Sequence, residues 1–202
     1  MKTFKTVIID DERLAREEVK RALKSYANFE IVGEANNVDE ALKVIETKNP
    51  DIIFLDIHMP EKSGFDLLEA LTTVPEVVFT TAYDQYAVKA FELNALDYLV
   101  KPLREERFAK TIEKVIQELH KKANVASSVL PMNRKIFIKD GENCHFIPLS
   151  EIHFIESLEN YARLYFGDQK AMLKRSLNLL EKKLDPTVFF RANRSQIINT
   201  QF

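Results

Sequence analysis

The sequence predicts a doubly wound α/β domain with a five-stranded parallel sheet, followed by a mostly antiparallel β domain with one short helix. Five apolar runs of strand length alternate with helical patterns in residues 1–122. Such alternation is typical of a parallel sheet covered by helices on both faces. From residue 134 onward, apolar residues recur at every second position, the period of a strand with one buried face.

The segment at residues 123–133 separates these two patterns. It lacks an amphipathic stripe and contains small and polar residues, and its length is typical of a flexible tether rather than a packed loop. The sequence therefore predicts a first domain over residues 1–122, a linker over 123–133 and a second domain over 134–202.

The alternation of five strands with five helical patterns implies a parallel sheet covered on both faces. Right-handed crossovers between parallel strands then restrict the topology to few alternatives. These strands lie near residues 4–9, 29–35, 51–55, 76–80 and 97–100.

Five helical patterns follow the strands, each with apolar residues spaced to pack on the sheet. Gly64 lies where the loop after the third strand turns into a helix. The apolar stripes consist of Leu14, Val19, Ala22 and Leu23; Ala41, Leu42 and Ile45; Phe65, Leu67, Leu68 and Leu71; Ala87, Ala90 and Phe91; and Phe108, Ile112, Val115, Ile116 and Leu119.

The second domain reads as a series of hairpins. Asp140-Gly141 is a turn signal between two runs of alternating residues, and a helix is predicted from Leu177 to Leu184. The predicted strands are residues 135–139, 144–149, 152–156, 161–166, 171–173, 188–191 and 196–199.

Polar side chains follow four of the predicted parallel strands. Asp10 and Asp11 follow the first, Asp56 the third, Thr81 the fourth and Lys101 the fifth. Because ligand sites of open α/β sheets lie at the carboxyl ends of the strands, these side chains are expected to converge. Clustered carboxylates repel one another, so the cluster favours a bound divalent cation, and oxygen ligands favour Mg²⁺.

Each residue also has an ordinary explanation when it is taken alone. A single Asp after a strand is usually a turn or helix-cap residue, and an Asp-Asp-Glu run is usually the solvated first turn of a helix. The joint order and placement of these residues at strand ends favours a functional site.

In order and spacing, these residues resemble the receiver domain of two-component response regulators, a flavodoxin-like fold, over residues 1–122. The resemblance implies that Asp56 is the phosphoacceptor, since a carboxylate can attack a phosphoryl group. It also implies that Mg²⁺ is held by Asp10, Asp11, Asp56 and the backbone carbonyl of His58.

The same resemblance assigns roles to three further residues. Lys101 would pair with a phosphoryl oxygen, Thr81 would be the switch hydroxyl, and Tyr98 would be the aromatic switch residue that turns inward. Thr80, next to Thr81, is then expected to point into the core. The Lys101-Pro102 bond is implied to be cis, which an X-Pro bond permits.

Motifs in the second half resemble the LytTR DNA-binding domain, over residues 134–202. They are Ile155-Glu156 followed by Asn160-Tyr161, Ser176-Leu177 with Leu180-Glu181, and Phe190-Arg191-Ala192-Asn193-Arg194-Ser195 followed by Asn199. The resemblance implies that loops carrying Tyr161, Arg163, Asn193 and Arg194 reach promoter DNA, where Arg and Asn suit guanine and adenine edges. Surface ion pairing is the alternative for Arg191 and Arg194, and Asn193 stands where the family pattern usually has His.

The resemblance also implies further strands and another basic loop, whereas the sequence stops at Phe202. We therefore expect the second domain to be incomplete at its C-terminus. The last strand is expected to lie at a sheet edge and to leave apolar surface exposed.

Composition restricts the class of protein. A single cysteine, Cys144, excludes an internal disulfide framework and fits a reducing cytoplasm. The sequence contains no apolar stretch near the roughly 20 residues that span a bilayer, and Met1 leads straight into a strand with no evident signal peptide. A cytoplasmic protein without a membrane partner is predicted.

Charge differs between the two halves. Residues 1–124 carry 18 Lys and Arg against 23 Asp and Glu, a net charge of −5, whereas residues 125–202 carry 11 against 8, a net charge of +3. An acidic domain joined to a basic one fits a metal-binding switch attached to an anion-binding output. A charge of +3 is also common on ordinary surfaces, so it favours nucleic acid only slightly.

The function expected from the resemblance is control of transcription. A sensor histidine kinase would phosphorylate Asp56, and phosphorylation would favour a homodimer that binds DNA. We expect no enzyme activity beyond slow self-dephosphorylation. One alternative is a receiver that acts only by contacting other proteins, while its second domain is an interaction module or a remnant that does not bind DNA. A hydrolase is a weaker alternative, since no separate general acid is evident.

Overall fold

The computed structural model describes residues 3–71, 73–82, 95–123, 134–140, 143–182 and 184–202. The chain divides into two compact units, Met1–Leu71 with Pro75–Asn124, and Thr72–Val74 with Val125–Phe202. The predicted fourth helical stripe, the turn residue Gly141 and all but the first residue of the predicted linker lie outside the described residues. The predicted domain boundaries stay a prediction.

The first unit is built on a five-stranded parallel sheet, as predicted. Its strands are β1 (Phe4–Ile9), β2 (Phe29–Ala35), β3 (Ile52–Asp56), β4 (Glu76–Thr81) and β5 (Asp97–Val100). They pair in the order β2-β1-β3-β4-β5. Every residue of the central strand β3 is buried, because helices cover both faces of a doubly wound sheet.

Helices connect or follow these strands where their apolar spacing predicts them. They are α1 (Arg13–Leu23), α2 (Val38–Lys48), α3 (Gly64–Ala70) and, after β5, α4 (Glu105–Ala123). The first turns of α2 and α3 are capped by side chains: Asn37 accepts from Glu40 N, and Ser63 forms a reciprocal capping box with Asp66. In the described part of the chain, no helix is long and apolar enough to cross a membrane.

One residue of the predicted stripe on α1 was assigned to the wrong face. Leu14 is 72% exposed, whereas Ala15, Val19 and Leu23 are buried. The buried residues follow one another at a spacing of four, and Leu14 precedes that row by one position. One residue turns a helix by about 100°, so Leu14 lies away from the sheet.

Gly64 is required by the close approach of two backbones. A Cβ at this position would lie 2.4 Å from the carbonyl oxygen of Asp56 and 3.2 Å from Leu55 Cγ. Gly64 N also donates to Ile57 O at 2.8 Å. Glycine therefore lets α3 begin directly against the end of β3, which fixes the backbone that carries Asp56.

The second unit is antiparallel β with one short helix, as predicted. Strands β6 (Lys135–Asp140) and β7 (Asn143–Pro148) form a hairpin. The short helix of this unit is α5 (Leu177–Glu181). A five-stranded sheet has the order β10-β9-β8-β12-β11. Its strands are β8 (Ile152–Leu158), β9 (Tyr161–Phe166), β10 (Gln169–Leu173), β11 (Phe189–Asn193) and β12 (Gln196–Asn199).

Two expectations for the second unit were wrong. The helix ends at Glu181 rather than at Leu184, although Leu184 N still donates to Leu180 O at 3.0 Å and Leu184 is buried. The last strand, β12, is not at an edge. It pairs with both β8 and β11, because the turn after Asn193 folds the chain back into the interior of the sheet.

A half-buried ion pair joins β5 to α4. Arg107 contacts both carboxylate oxygens of Asp97, at 2.8 Å and 2.6 Å, and Thr111 Oγ1 donates to Asp97 at 2.7 Å. Burial opposes ionisation of Asp97, but its bonds to Arg107 and Thr111 outweigh burial and lower the pKa of Asp97. The ionised pair therefore stabilises the folded first unit.

We predict that Asp97→Asn lowers the free energy of unfolding of the first unit by about 2 kcal/mol at neutral pH. This is less than the roughly 3–5 kcal/mol typical of a broken buried pair, because the Arg107 side chain is 41% exposed. A lowered carboxyl pKa contributes stability above the unfolded-state value of ~3.9, and that contribution is lost as the pH falls through the folded-state pKa. The deficit of the variant should therefore shrink below about pH 4.

Urea denaturation at several pH values, followed by circular dichroism, measures this difference. Asp39→Asn is the matched control, since it removes a carboxylate from an exposed ion pair with Lys62 and should cost less than about 1 kcal/mol. Equal and pH-independent losses in both variants would contradict the prediction.

Candidate functional site

The carboxyl ends of β1, β3, β4 and β5 bring the predicted polar residues together. Carboxylate oxygens of Asp10, Asp11 and Asp56 all lie within 4.8 Å of one another. Asp10 and Asp56 are buried, at 1% and 5% exposure, and Asp11 is the most accessible of the three. Parallel pairing of β1 with β3 produces this convergence, as the sequence predicted.

Lys101 links two of the carboxylates. Its Nζ lies 2.7 Å from Asp10 Oδ2 and 3.0 Å from Asp56 Oδ2. The backbone of Lys101 is fixed as well, since its N donates to Thr81 O at 2.8 Å and the following bond to Pro102 is cis. The ammonium group of Lys101, which follows β5, therefore forms ion pairs with carboxylates at the ends of β1 and β3.

The charges of Asp10, Asp56 and Lys101 act on one another. Burial is the main cause that raises the pKa of Asp10, and it outweighs the opposing effect of Lys101. Burial disfavours the charged form of Lys101, but Asp10 and Asp56 outweigh it and raise the pKa of Lys101. The lysine is therefore a cation at neutral pH, and it only partly offsets the cost of a buried Asp10 carboxylate.

These residues fit a divalent cation. Three carboxylates offer hard oxygen ligands at one place, and one lysine leaves them with an excess of negative charge. A bound cation would relieve the desolvation cost that raises the pKa of Asp10. The cluster could therefore hold a metal ion.

His58 lies just after β3 and Thr81 at the end of β4, next to the acidic cluster. His58 N donates to Asp56 Oδ1 at 3.3 Å while the His58 side chain is exposed. Thr81 Oγ1 is buried without a hydrogen-bond partner among the described residues, and Thr80 is buried as expected. The threonine hydroxyl is therefore available to a group that enters the site.

Tyr98, the predicted aromatic switch residue, is buried on β5. Its side chain is 5% exposed, so it is already inward in this structure. Its carbonyl accepts from Arg107 Nη2 at 2.8 Å.

Two residues of α1 that the sequence analysis did not single out contact the loops of the site. Arg16 Nη1 donates to the carbonyl oxygens of Asp10 and Asp11 at 2.7 and 3.3 Å, and Glu18 accepts from Leu103 N at 3.0 Å. Helical charged residues normally indicate a solvated face. The only sequence signal for Arg16 is its place about one turn after the acidic pair.

In the second unit, the turn after β11 is stabilised by its own polar side chains. Asn193 Oδ1 accepts from Ser195 N at 2.8 Å, and Asn193 Nδ2 donates to Gln196 at 2.8 Å. Arg191 Nε donates to Asn193 O at 2.6 Å and its Nη1 pairs with Glu181 at 3.1 Å. Arg194 is exposed, and no hydrogen bond or ion pair engages its side chain within the described ranges.

The other predicted nucleic-acid residues lie on β9. Tyr161 is 41% exposed. Arg163 Nη1 lies 3.5 Å from the Tyr165 hydroxyl and 3.9 Å from Glu156 Oε2, and the Tyr165 contact is the main cause that raises the pKa of Arg163. The ion-pair explanation raised for Arg191 is confirmed, while Arg163 also has an acidic neighbour.

Comparison with known families matches both halves of the chain. Residues 6–113 match the response regulator receiver domain, and residues 142–201 match the LytTr DNA-binding domain.

Relatives from several bacteria match nearly the whole chain. An uncharacterized response regulatory protein of Vibrio cholerae is 40% identical over 195 residues, which span 96% of this chain and 81% of that protein. The sensory transduction protein LytT of Enterococcus faecalis is 37% identical over 96% of this chain and 81% of its own length. The transcriptional regulatory protein LytR of Staphylococcus aureus is 35% identical over 98% of this chain and 84% of its own length.

Solved structures match the first unit. The response regulatory domain of mrkE from Klebsiella pneumoniae is 34% identical with a TM-score of 0.53, over 58% of this chain and 98% of that domain. The receiver domain of AraT from Geobacillus stearothermophilus is 31% identical with a TM-score of 0.53, over 60% of this chain and 98% of that domain. With an acidic cluster and lysine at the strand ends of one half and a matched DNA-binding domain in the other, this chain belongs to the two-component response regulators that join a receiver domain to a LytTR DNA-binding domain and act on transcription.

Proposed function

We propose that Asp56 accepts a phosphoryl group from a sensor histidine kinase, with Mg²⁺ held by Asp10, Asp11, Asp56 and the carbonyl of His58. The observation that carries this proposal is the buried Asp56 carboxylate at the end of β3, 3.0 Å from Lys101 and inside an acidic cluster. A carboxylate placed in this way is a usable nucleophile, and the protein contributes mostly position and charge neutralisation.

In the proposed transfer, an Asp56 oxygen forms a bond to phosphorus as the bond from phosphorus to the kinase imidazole breaks. Mg²⁺ supplies charge neutralisation for the phosphoryl oxygens when it is bound. Lys101 leaves Asp56 Oδ2 and pairs with a phosphoryl oxygen, and the free hydroxyl of Thr81 donates to another.

This rearrangement is proposed to shift a two-state equilibrium. The closure of Thr81 and Lys101 on the phosphoryl group would stabilise the inward position that Tyr98 already has and repack the face from about residue 84 to residue 119. Residues 83–94 of that face lie outside the described residues, so dimerisation through it rests on the family resemblance.

The output is proposed to be binding of promoter DNA by the second unit, in the cytoplasm and without enzyme activity beyond slow self-dephosphorylation. Arg194 supports it most directly, since the side chain is exposed and free of partners among the described residues. Asn193 and Arg191 would act by shaping the loop that presents Arg194. Tyr161 and Arg163 would contact DNA from β9.

We predict one phosphoryl adduct on the wild-type chain after incubation with acetyl phosphate and Mg²⁺. The acceptor needs the Asp56 carboxylate and the cation, so the adduct should be absent in Asp56→Asn and without Mg²⁺. Intact-mass spectrometry measures it. Asp11→Asn serves as a second variant, because it keeps the nucleophile and should regain adduct at higher Mg²⁺ concentration. An unmodified wild type would refute the phosphoacceptor role.

Phosphorylated wild-type chain is expected to shift toward a dimer. The physical reason is the repacking of the switch face when Thr81 closes on the phosphoryl group. Size-exclusion chromatography with light scattering, before and after acetyl phosphate, measures the shift, and Asp56→Asn should not respond. A phosphorylated chain that stays monomeric at all concentrations tested would exclude the dimerisation step.

Binding to the regulatory DNA of the protein's own operon should weaken with salt and with Arg194→Ala. Phosphate contacts release counterions, so affinity falls steeply as salt rises. A lost Arg contact costs about 1–3 kcal/mol, or roughly five- to 150-fold in affinity. Gel shift at two salt concentrations measures both. Lys170→Ala removes the same charge from an exposed position on β10, at the opposite edge of the sheet, and should have little effect.

The same gel shift separates the proposed function from its alternative. A folded second unit that shows no DNA affinity at low salt would favour a receiver that acts through protein contacts.

A further inference from the structure

Arg16 reaches from α1 to the backbone that carries the acidic pair. Its side chain is 15% exposed, and one guanidinium nitrogen, Nη1, donates to both Asp10 O and Asp11 O, at 2.7 and 3.3 Å. These carbonyls follow β1, at the point where the chain leaves the sheet and begins α1. The contact therefore fixes the peptide units from which two of the three clustered carboxylates project.

The guanidinium group is itself held in place. Arg16 Nε lies 3.2 Å from Glu34 Oε2, and Lys20 Nζ lies 2.6 Å from Glu34 Oε1. Glu34 is on β2, the neighbour of β1. Arg16 is thus fixed between the second strand and the acidic loop, with its two contacts made by different nitrogens of one planar group.

The charge of Arg16 alone does not favour a bound cation at the neighbouring cluster. A guanidinium group near the acidic cluster would repel a bound cation. It also lies near the N-terminal end of α1, where the helix dipole disfavours positive charge. The two carbonyl contacts and the Glu34 anchor are the favourable interactions that the structure provides for it.

We propose that Arg16 is a positioning residue for the metal-binding carboxylates Asp10 and Asp11. This inference rests on the proposed Mg²⁺ site. Arg16 does not touch the metal; it holds the backbone so that both carboxylates point into the cluster before the cation arrives. Groups that orient metal ligands in this way commonly contribute about tenfold or more to metal affinity.

The test is the affinity of the full chain for Mn²⁺, an oxygen-preferring substitute for Mg²⁺, measured from the free-ion signal in electron paramagnetic resonance. Arg16→Gln should weaken binding about tenfold. Charge alone predicts the opposite sign, because the variant loses a cation beside a cation site. Competition with Mg²⁺ confirms that both ions use the same ligands.

Arg13→Gln is the matched control. Arg13 lies on the same helix, is exposed and carries the same charge, but it has no bond to the carbonyls of Asp10 or Asp11. The Arg13→Gln variant should bind Mn²⁺ as tightly as wild type or slightly more tightly. An equal loss in both variants would attribute the effect to general charge or helix stability and overturn the positioning role.

Two further variants separate position from charge and protect against misfolding. Arg16→Lys keeps the charge but loses the planar group that contacts the loop and Glu34, so it should still weaken binding. Glu34→Gln loosens the anchor and should give a smaller loss. Full affinity in Arg16→Lys would show that the geometry of the guanidinium group is unnecessary and would overturn the inference.

The outcomes distinguish this inference from the function on which it rests. If wild type and Arg16→Gln bind Mn²⁺ equally while both are folded by circular dichroism, the metal site stands and the positioning role fails. If wild type binds no Mn²⁺, the proposed metal site fails and the positioning role fails with it.

Discussion

The ammonium group of Lys101 is the interaction on which the site depends. It lies 2.7 Å from Asp10 and 3.0 Å from Asp56, and so it ties the ends of three parallel strands together. Without it, two buried carboxylates within a few ångströms would repel one another in a poorly solvated place, and one of them would be driven to take up a proton.

This arrangement requires an exact backbone as well as the right side chains. Gly64 permits α3 to begin against Asp56 O, Arg16 holds the carbonyls after β1, and Glu18 accepts from Leu103 N after the cis bond. The carboxylates and the lysine therefore occupy positions that are set mainly by contacts of the main chain. Preorganisation of this kind is what an electrostatic site needs, since the charges do not have to be rearranged before the ligand enters.

Most of the fold and the receiver site could be predicted from the sequence because both follow from strong, simple patterns. Continuous apolar runs such as 52–55 place a strand in the sheet interior, and parallel strands bring their carboxyl ends to one edge. The side of a helix on which a single residue lies is harder to predict. Leu14 has the right chemistry for the core, yet it lies one position, or about 100° of helix rotation, away from the buried row of α1.

In the second unit, such patterns predict the strands but not how the strands pair or what the loop side chains contact. The alternating period identified its strands. The pairing of β12 with β8 is non-local, however, and sequence order alone suggested an edge. In its loops, Asn193 bonds to Ser195 and Gln196 instead of pointing freely outward. Composition cannot distinguish an Asn that reads a base from one that closes a turn, because both need the same amide group.

The hydrogen bond from Lys101 N to Thr81 O also bears on how the site responds to a ligand. Because it joins the backbones of β4 and β5 at the site, the lysine and the threonine cannot separate by sliding of the strands. Their response to a new ligand is therefore expected to consist mainly of side-chain rotation, with the two strand ends staying together.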